Sequence, residues 1–185
     1  MKLEKLISDH STLAQIRANE LSGGFTHRLV VKYTDLNTGG AVGDFIAGDG
    51  STSNGKTIYP PIYTTTGGTG RITLEPFSVL EKVALKVVTA FAGSSISALT
   101  ADMGIDGNTD ALLDAVNLRV LSNAISGVSG DGAAANQITA QAALNVPLRI
   151  TTAGAATTAL TAGEFHLFLK VYTLPTESGD EIYSI

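Results

Sequence analysis

The sequence predicts an all-β protein: a jelly-roll-like β-sandwich that follows a short N-terminal arm with one or two helical turns. Three observations support this fold class. Several segments alternate apolar and polar residues, as strands with one buried face do. Stretches rich in Gly, Ser, Thr and Asn separate these segments and are typical of turns. Little of the chain shows helical spacing, and about six to eight strands with long loops favour a β-sandwich or jelly roll.

The length of the chain, 185 residues, is sufficient for one domain with a short extra arm. We expect an arm over residues 1–24, the sandwich over residues 25–174 and a tail over residues 175–185. Hydrophobic residues make up 44% of the chain, which is enough for a core, whereas charged residues make up only 16%. Neighbouring subunits easily cover such a weakly charged surface.

Composition argues against several classes of partner. The net charge is −5 and the 12 basic residues are scattered, so no nucleic acid is expected to bind. No run approaches the ~18 apolar residues of a membrane span, so no membrane partner is expected. The first residues, MKLEKLISDHSTLAQ, lack the apolar centre of a secretory signal. Without cysteine, the chain has no disulfide or thiolate site.

The first 22 residues combine charge with helix formers. The spacing of Leu3, Leu6 and Ile7, and that of Leu13 and Ile16, suits one face of a helix. This pattern predicts an arm with one or two helical turns. The alternative is an ordinary helix packed on its own domain.

The first half of the sandwich alternates strands with turns. Residues 26–34, THRLVVKYT, predict a half-buried strand. Residues 37–57 are mostly Gly, Asn, Ser and Asp, which are typical of turns, around the short apolar segment DFIAG, which predicts one short strand. Pro60 and Pro61 forbid a central strand and predict an exposed loop. The aromatic residues expected to anchor this loop are Tyr59, Tyr63 and Phe77.

Two strands follow the proline loop. Residues 71–76 predict a short strand, and residues 81–91 predict a long one. Residues 110–121 fit both a helical face and a strand, and we favour one or two helical turns before a strand. The long strand is expected to direct one set of side chains toward the core, namely Val83, Leu85, Val87 and Phe91.

Two strands are predicted near the C-terminus. Residues 142–152, AALNVPLRITT, alternate, and Pro147 predicts an edge strand or a bulge because it lacks an N–H donor. Residues 164–174, EFHLFLKVYTL, are apolar on both sides, which predicts a central strand. The tail that follows is acidic and then apolar.

A phrase of small residues occurs twice, at residues 92–102 and 153–163, with the shared pattern A-G-x-x-x-x-A-L-T-A. Each copy lies between two predicted strands. Small residues turn tightly and allow close backbone approach, so we interpret both copies as crossings between strands. Leu99 and Leu160 are expected to anchor the crossings in the core. Chance similarity between two low-complexity turns is the alternative.

The search for chemistry names no catalytic residue, cofactor or metal ligand. His10, His27 and His166 form no metal-binding spacing, and no nucleophile elbow is present. The segment DGNTD places Asp106, Asn108 and Asp110 as in the first half of a calcium loop. The second half fails because the sixth and twelfth positions are Ala and Asn. We interpret the segment as a polar turn, with a different oxygen cage completed by Asp102 and Asp114 as the alternative.

Three features carry a resemblance to a known family: a long strand ending in VVTAFAG, a mid-chain MGIDGNTDALL segment, and a late TALTAGEFHLFLKVY strand before a short tail. In these features the chain resembles the small jelly-roll head-decoration (cement) proteins of tailed bacteriophages. The resemblance covers residues 26–174, leaves the arm unmatched and transfers no functional residue. It implies a homotrimer on the outside of an icosahedral head, across junctions between major capsid protein subunits.

The sequence therefore predicts a non-enzymatic structural virion protein that is made in the host cytoplasm and stabilises the major capsid protein lattice at the capsid surface. The alternative is a carbohydrate- or receptor-binding module of a phage fibre, for which Tyr33, Tyr59 and Tyr63 are the candidate contacts. A β-sandwich hydrolase ranks last. The predicted capsid-binding residues of the arm are Leu3, Leu6, Ile7, Leu13 and Ile16. The predicted trimer interface comprises Tyr59, Pro60, Pro61 and Tyr63.

Overall fold

The structure is a computed structural model that describes residues 2–5, 24–37, 46–51, 55–59, 73–74, 77–105, 107–125, 138–139 and 144–173. Within these ranges the chain forms strands, one α-helical turn, α1 (Tyr33–Leu36), and one 3-10 turn (Thr157–Ala159). Neither helical turn is long enough to cross a membrane. The strands are β1 (Lys2–Lys5), β2 (His27–Lys32), β3 (Ile46–Ala47), β4 (Lys56–Ile58), β5 (Thr73–Leu74), β6 (Ser78–Gly93), β7 (Ala98–Ile105), β8 (Asn108–Asn117), β9 (Asn123–Ile125), β10 (Ile138–Thr139), β11 (Leu144–Asn145), β12 (Leu148–Ala153) and β13 (Leu160–Thr173).

The strands form two antiparallel sheets. Sheet A has the order β1-β2-β13-β6, and both β9 and β10 pair with the other edge of β6. Sheet B has the order β3-β4-β12-β7-β8. Strands β5 and β11 form a separate antiparallel pair.

The pairing is nested, as in a hairpin folded over on itself. Strand β7 pairs with β8, β6 with β9, β4 with β12, and β2 with β13. The first and third pairs lie in sheet B, whereas the second and fourth lie in sheet A. Eight strands nested in this way and divided between two sheets form a jelly roll. The predicted fold class is therefore confirmed.

The core lies between the two sheets and consists of alternate residues of each strand. In sheet A the buried positions of β2, β6 and β13 face each other across the register, for example Leu29, Leu167 and Leu85. The rings of Phe91 and Phe165 lie 6.0 Å apart in this layer. The facing layer of sheet B includes Ile58, Leu99, Ala101, Met103, Leu113, Leu148 and Ile150. The predicted inward side of the long strand, Val83, Leu85, Val87 and Phe91, is confirmed.

The two copies of the repeated phrase lie side by side at one end of the sandwich. The first carries the chain from β6 in sheet A to β7 in sheet B, and the second returns it from β12 to β13. The copies pair with each other, because Gly93 lies opposite Leu160 and Ala98 lies opposite Ala153. A Cβ added at Gly93 would collide with the backbone carbonyl of Ala159, which explains the small residues. Leu99 is buried, like Leu160, so the predicted crossings are confirmed.

The helical interpretation of residues 110–121 is wrong, because residues 108–117 form strand β8. A bulge produced the misleading spacing. Ala115 has a φ of 48°, and the register between β7 and β8 shifts on either side of Met103. These irregularities bury Leu112, Leu113 and Val116 from one strand. Their spacing therefore imitates a helical face.

Three smaller expectations also need correction. Strand β12 is central rather than an edge, since it begins at Leu148, after Pro147, and pairs with both β4 and β7. Phe77 is 52% exposed, so it is not the buried anchor that was expected. Leu3 lies in β1 opposite Leu29, in a strand rather than a helix. The helical turns predicted between residues 6 and 23 lie outside the described residues.

Gly163 allows a test of the close packing at the crossing. Its φ is 135°, and an added Cβ would meet the ring of Phe91. We expect Gly163→Ala to lower the free energy of unfolding by about 3 kcal/mol or more, because steric overlap adds to backbone strain. Gly107→Ala is the matched control, since Gly107 also has positive φ but an added Cβ there meets nothing within 4 Å. The control should lose only about 1–2 kcal/mol in urea denaturation. Equal losses would show that packing against Phe91 contributes nothing.

Candidate docking surface

The outward side of sheet A carries apolar side chains where a solvated sheet face would be polar. Along β6 the buried residues alternate with outward ones, and the register aligns Ala84 with Phe168 on β13 and with Ile125 on β9. We call this side the outer face. Its described members on β2, β6 and β13 include Arg28, Val30, Lys32, Lys82, Ala84, Lys86, Val88, Glu164, His166, Phe168, Lys170 and Tyr172.

A cleft lies in the middle of the outer face, between residues 24–26, which directly precede β2, and strand β9. The rings of Phe25 and Phe168 form one wall, with centroids 5.6 Å apart and an angle of 47° between the planes. Ala84 and Ile125 contribute apolar surface, and the cavity has a volume of about 430 Å³. Lys86 lies at its border. We call this cavity the aromatic cleft.

The rim of the aromatic cleft is positively charged. Lys82 Nζ lies 5.6 Å from the centroid of the Phe25 ring, in a cation–π arrangement. Lys170 Nζ donates to Glu81 Oε1 over 2.8 Å. Among the described side chains, and counting Glu81, the outer face carries five basic groups against two carboxylates, although the whole chain has a net charge of −5. The outer face therefore favours an acidic, partly apolar partner.

The end of the outer face near Glu164 holds the one histidine–carboxylate pair of the described residues. His166 Nε2 lies 2.8 Å from Glu164 Oε1, and Lys32 Nζ lies 4.0 Å from the other carboxylate oxygen. The His166 ring also stands edge-on to Phe168, with centroids 6.1 Å apart. A hydrolytic triad would need a nucleophile bonded to the imidazole, and no such bond to His166 occurs among the described residues. Both members of the pair lie on β13, and Lys32 connects Glu164 to the end of β2.

A second apolar area continues the outer face along the edge of β6. Residues 118–122 follow this edge, because Val87 N–H donates to Ser122 O and Phe91 N–H donates to Leu118 O, both over 2.9 Å. Continuing the β6–β9 register places Leu121 opposite Val88. Val88, Val120 and Leu121 are 41%, 50% and 71% exposed. We call these three residues the edge patch.

The outward side of sheet B is acidic instead. Asp102 on β7 lies opposite Arg149 on β12, and its Oδ1 accepts a 2.6 Å hydrogen bond from Ala115 N–H. Burial raises the pKa of Asp102, with Asp114 and Asp110 adding to the rise and the Ala115 N–H and Arg149 opposing it. No group of three His, Cys, Asp or Glu side chains that could hold a metal ion occurs among the described residues. Asn108 and Asp110 lie on β8, and Asp106 lies outside the described residues.

The sequence interpretation also missed a buried lysine. Lys56 lies on β4, within the segment assigned to turn chemistry, and is 1% exposed. Its Nζ donates to Gly48 O over 2.7 Å, which fastens the turn over residues 48–55 to the sandwich. Burial lowers the pKa of this ammonium group, and Asp49 partly opposes the change. Lys56 therefore stabilises the end of sheet B.

The predicted site residues are placed as follows. Tyr59 is only 9% exposed, so its own chain already covers most of its surface. Tyr33, on α1, is half-buried and packs against the core. For Leu3 the structure describes the strand position alone. The remaining candidates lie outside the described residues: Leu6, Ile7, Leu13, Ile16, Pro60, Pro61 and Tyr63.

Sequence reasoning did not find the docking surface, although one signal was present. Residues 164–174 are apolar on both sides, which correctly predicted that β13 is central in its sheet. The same pattern contained the outward Phe168. Phe25 and Ile125 join it only through tertiary pairing.

Comparisons with protein-family models, curated proteins and solved structures find no match to this chain.

Asp102 allows a prediction on stability and pH. Because its pKa is raised in the folded state, the folded chain binds this proton more tightly than the unfolded chain does. This carboxyl therefore lowers stability as pH rises from about 3.8 through the raised pKa. We expect Asp102→Asn, which keeps an oxygen for the Ala115 N–H, to lessen the fall in stability between pH 4 and pH 7. Urea denaturation at four pH values measures the change. Parallel curves for parent and variant would contradict the expectation.

Proposed function

We propose that this chain is a non-enzymatic structural protein of a virus particle, a capsid decoration protein that binds the major capsid protein lattice on the outside of a bacteriophage head as a homotrimer. The observation that supports this proposal best is the outer face of sheet A. Two exposed apolar areas lie on or beside it, the aromatic cleft and the edge patch, and Lys86 and Asn123 lie between them. Exposed apolar area on a β-sandwich is typical of a surface that contacts another protein.

The energetics of a repeated surface suit this role. Covering one exposed apolar side chain of about the size of valine or leucine contributes roughly 1 kcal/mol. Such contacts are weak singly, but a trimer that engages several capsid subunits at once multiplies them through avidity. A partner that binds only the assembled lattice also stabilises it by mass action. Weak, repeated apolar contacts therefore suffice for a cement protein.

The predicted arm is the second part of the proposal. Apart from Leu3, its anchor residues fall between the end of β1 and Gly24. Because Lys5 pairs with His27, β1 ends and β2 begins at the same end of sheet A. An arm that connects these two points can contact a neighbouring subunit without changing the pairing within sheet A. Its apolar residues would then contact the major capsid protein.

The carbohydrate- or receptor-binding alternative receives less support. It relied on exposed tyrosines, and Tyr59 is buried whereas Tyr33 is half-buried and packs against the core. Binding of sugars usually requires aromatic rings that are open to solvent. The decoration role requires only apolar and polar contact area, which the outer face provides.

The edge patch provides a test of self-association. We expect the parent protein to elute as a trimer at micromolar concentration, and Leu121→Glu to shift it toward monomer because a charge enters an apolar interface. Size-exclusion chromatography with light scattering measures the mass. Thr151→Glu, which places the same charge on the exposed side of β12, should leave the trimer intact. A monomeric parent protein would refute the trimer.

Binding to heads tests the decoration role itself. The experiment uses heads of the virus that encodes this chain, prepared without it, and measures co-sedimentation. Deleting residues 6–22 removes the predicted anchors other than Leu3 and leaves four residues between β1 and β2, a length that suits a hairpin loop. We expect this variant to bind at least tenfold more weakly than the parent. Unchanged binding would refute the arm contact, and a parent protein that does not co-sediment with heads would refute the decoration role.

A further inference from the structure

We propose that residues 180–185, the acidic and then apolar end of this chain, occupy the aromatic cleft of their own sandwich. This inference concerns the free chain and does not depend on the proposed decoration role, in which a capsid subunit would displace the tail from the cleft. Four features of the molecule support it: the apolar cleft, its basic rim, the chemistry of the tail, and the distance between the end of β13 and the cleft.

The aromatic cleft suits a short extended segment with apolar side chains. Phe25, Phe168 and Ile125 are half-buried, so each keeps apolar area that another group can cover. The volume of about 430 Å³ matches a few side chains rather than a helix or a domain. Asn123 at the border adds a polar group that can bind a peptide backbone.

The basic rim selects an acidic occupant. Lys82 lies over the Phe25 ring, Lys86 borders the cleft, and Lys170 lies in the register opposite Lys82. Two of these three ammonium groups, those of Lys82 and Lys86, make no ion pair with a described carboxylate. An occupant with carboxylates next to apolar side chains would complement both the rim and the walls.

The tail has this composition. Residues 174–185 read LPTESGDEIYSI, in which Asp180 and Glu181 directly precede Ile182, Tyr183 and Ile185. Two other segments compete with the tail. Residues 6–23 mix both signs of charge with their apolar residues, and residues 126–137, which directly follow Ile125, carry a single carboxylate and no aromatic residue. Charge complementarity therefore favours the tail.

The tail is long enough and starts in the right place. Strand β13 ends at Thr173, opposite Ser78, and Phe168 lies five residues earlier, about 17 Å back along the strand. Pro175 and the pair Ser178 and Gly179 are turn formers that can reverse the chain. The last six residues then span about 20 Å when extended, which reaches the cleft. On this path the carboxylates meet the row of Lys82 and Lys170 before the apolar residues meet Phe168.

A peptide experiment tests the proposal. A fluorescent peptide of residues 174–185 is titrated with protein truncated after residue 173 and with the full chain, and anisotropy measures binding. We expect the truncated protein to bind the peptide at least tenfold more tightly than the full chain, because the attached tail competes. Equal affinity, or no binding to a truncated protein whose circular dichroism matches the parent, would overturn the proposal.

Charge variants identify the surface. Lys82→Glu should weaken peptide binding to the truncated protein at least fivefold, because the ammonium group of Lys82 lies over the Phe25 ring. Lys32→Glu is the matched control, since Lys32 lies on the same face opposite Glu164, beyond the His166 row. The control should change the affinity less than twofold. Equal effects of both changes would show a diffuse electrostatic attraction and would overturn the assignment to the cleft.

A crosslink in the full chain distinguishes the chain's own tail from that of a second copy. The chain has no cysteine, so the pair Asn123→Cys and Ile185→Cys introduces the only two thiols. Oxidation should give an internally linked monomer on a non-reducing gel. Asn117→Cys with Ile185→Cys is the control, because Asn117 is exposed on β8 of the other sheet, and it should link at least tenfold more slowly. A covalent dimer, or no preference for position 123, would overturn the proposal.

Discussion

The pairing of β6 with β13 is the constraint on which the rest of the molecule depends. These are the two longest strands, and their register runs from Leu160 opposite Gly93 to Thr173 opposite Ser78. Strand β13 comes near the end of the described chain, yet it lies between β2 and β6. Sheet A is therefore complete only after the last strand has inserted. The nested order of the other pairs follows from this closure, since each crossing must lead the chain to the sheet that contains the pairing partner of the next strand.

The inward and outward sides of this pair perform different tasks. Inward residues such as Leu85, Phe165 and Leu167 pack against sheet B and hold the two layers together. Outward residues on the same strands, Ala84 and Phe168 among them, form the aromatic cleft. Because side chains alternate along a strand, a substitution on one side leaves the other side in place. The outer face is thus carried by the longest strand pair of the fold.

The sequence predicted the regular part of this architecture and failed where the backbone departs from regularity. Strands β6 and β13 were predictable because each alternates over many residues. Strand β8 was not, because its bulge at Ala115 buries neighbouring residues and imitates helical spacing. Lys56 was not predictable as a buried residue, because its surroundings form only when the turn over residues 48–55 folds back on it. Propensity describes local segments, whereas both exceptions arise from contacts between distant ones.

The docking surface marks a deeper limit of sequence reasoning. Alternation reveals which residues share a side of a strand, and it does not reveal which side meets the other sheet. In β13 both sides are apolar, so Phe165 and Phe168 are equivalent until the neighbouring strands are placed. The register distinguishes them. Phe165 lies opposite Val87 and points toward sheet B, whereas Phe168 lies opposite Ala84, points outward and contacts Phe25. An apolar residue on the outward side of a central strand therefore indicates a contact surface, because the residues on the inward side already form the chain's own core.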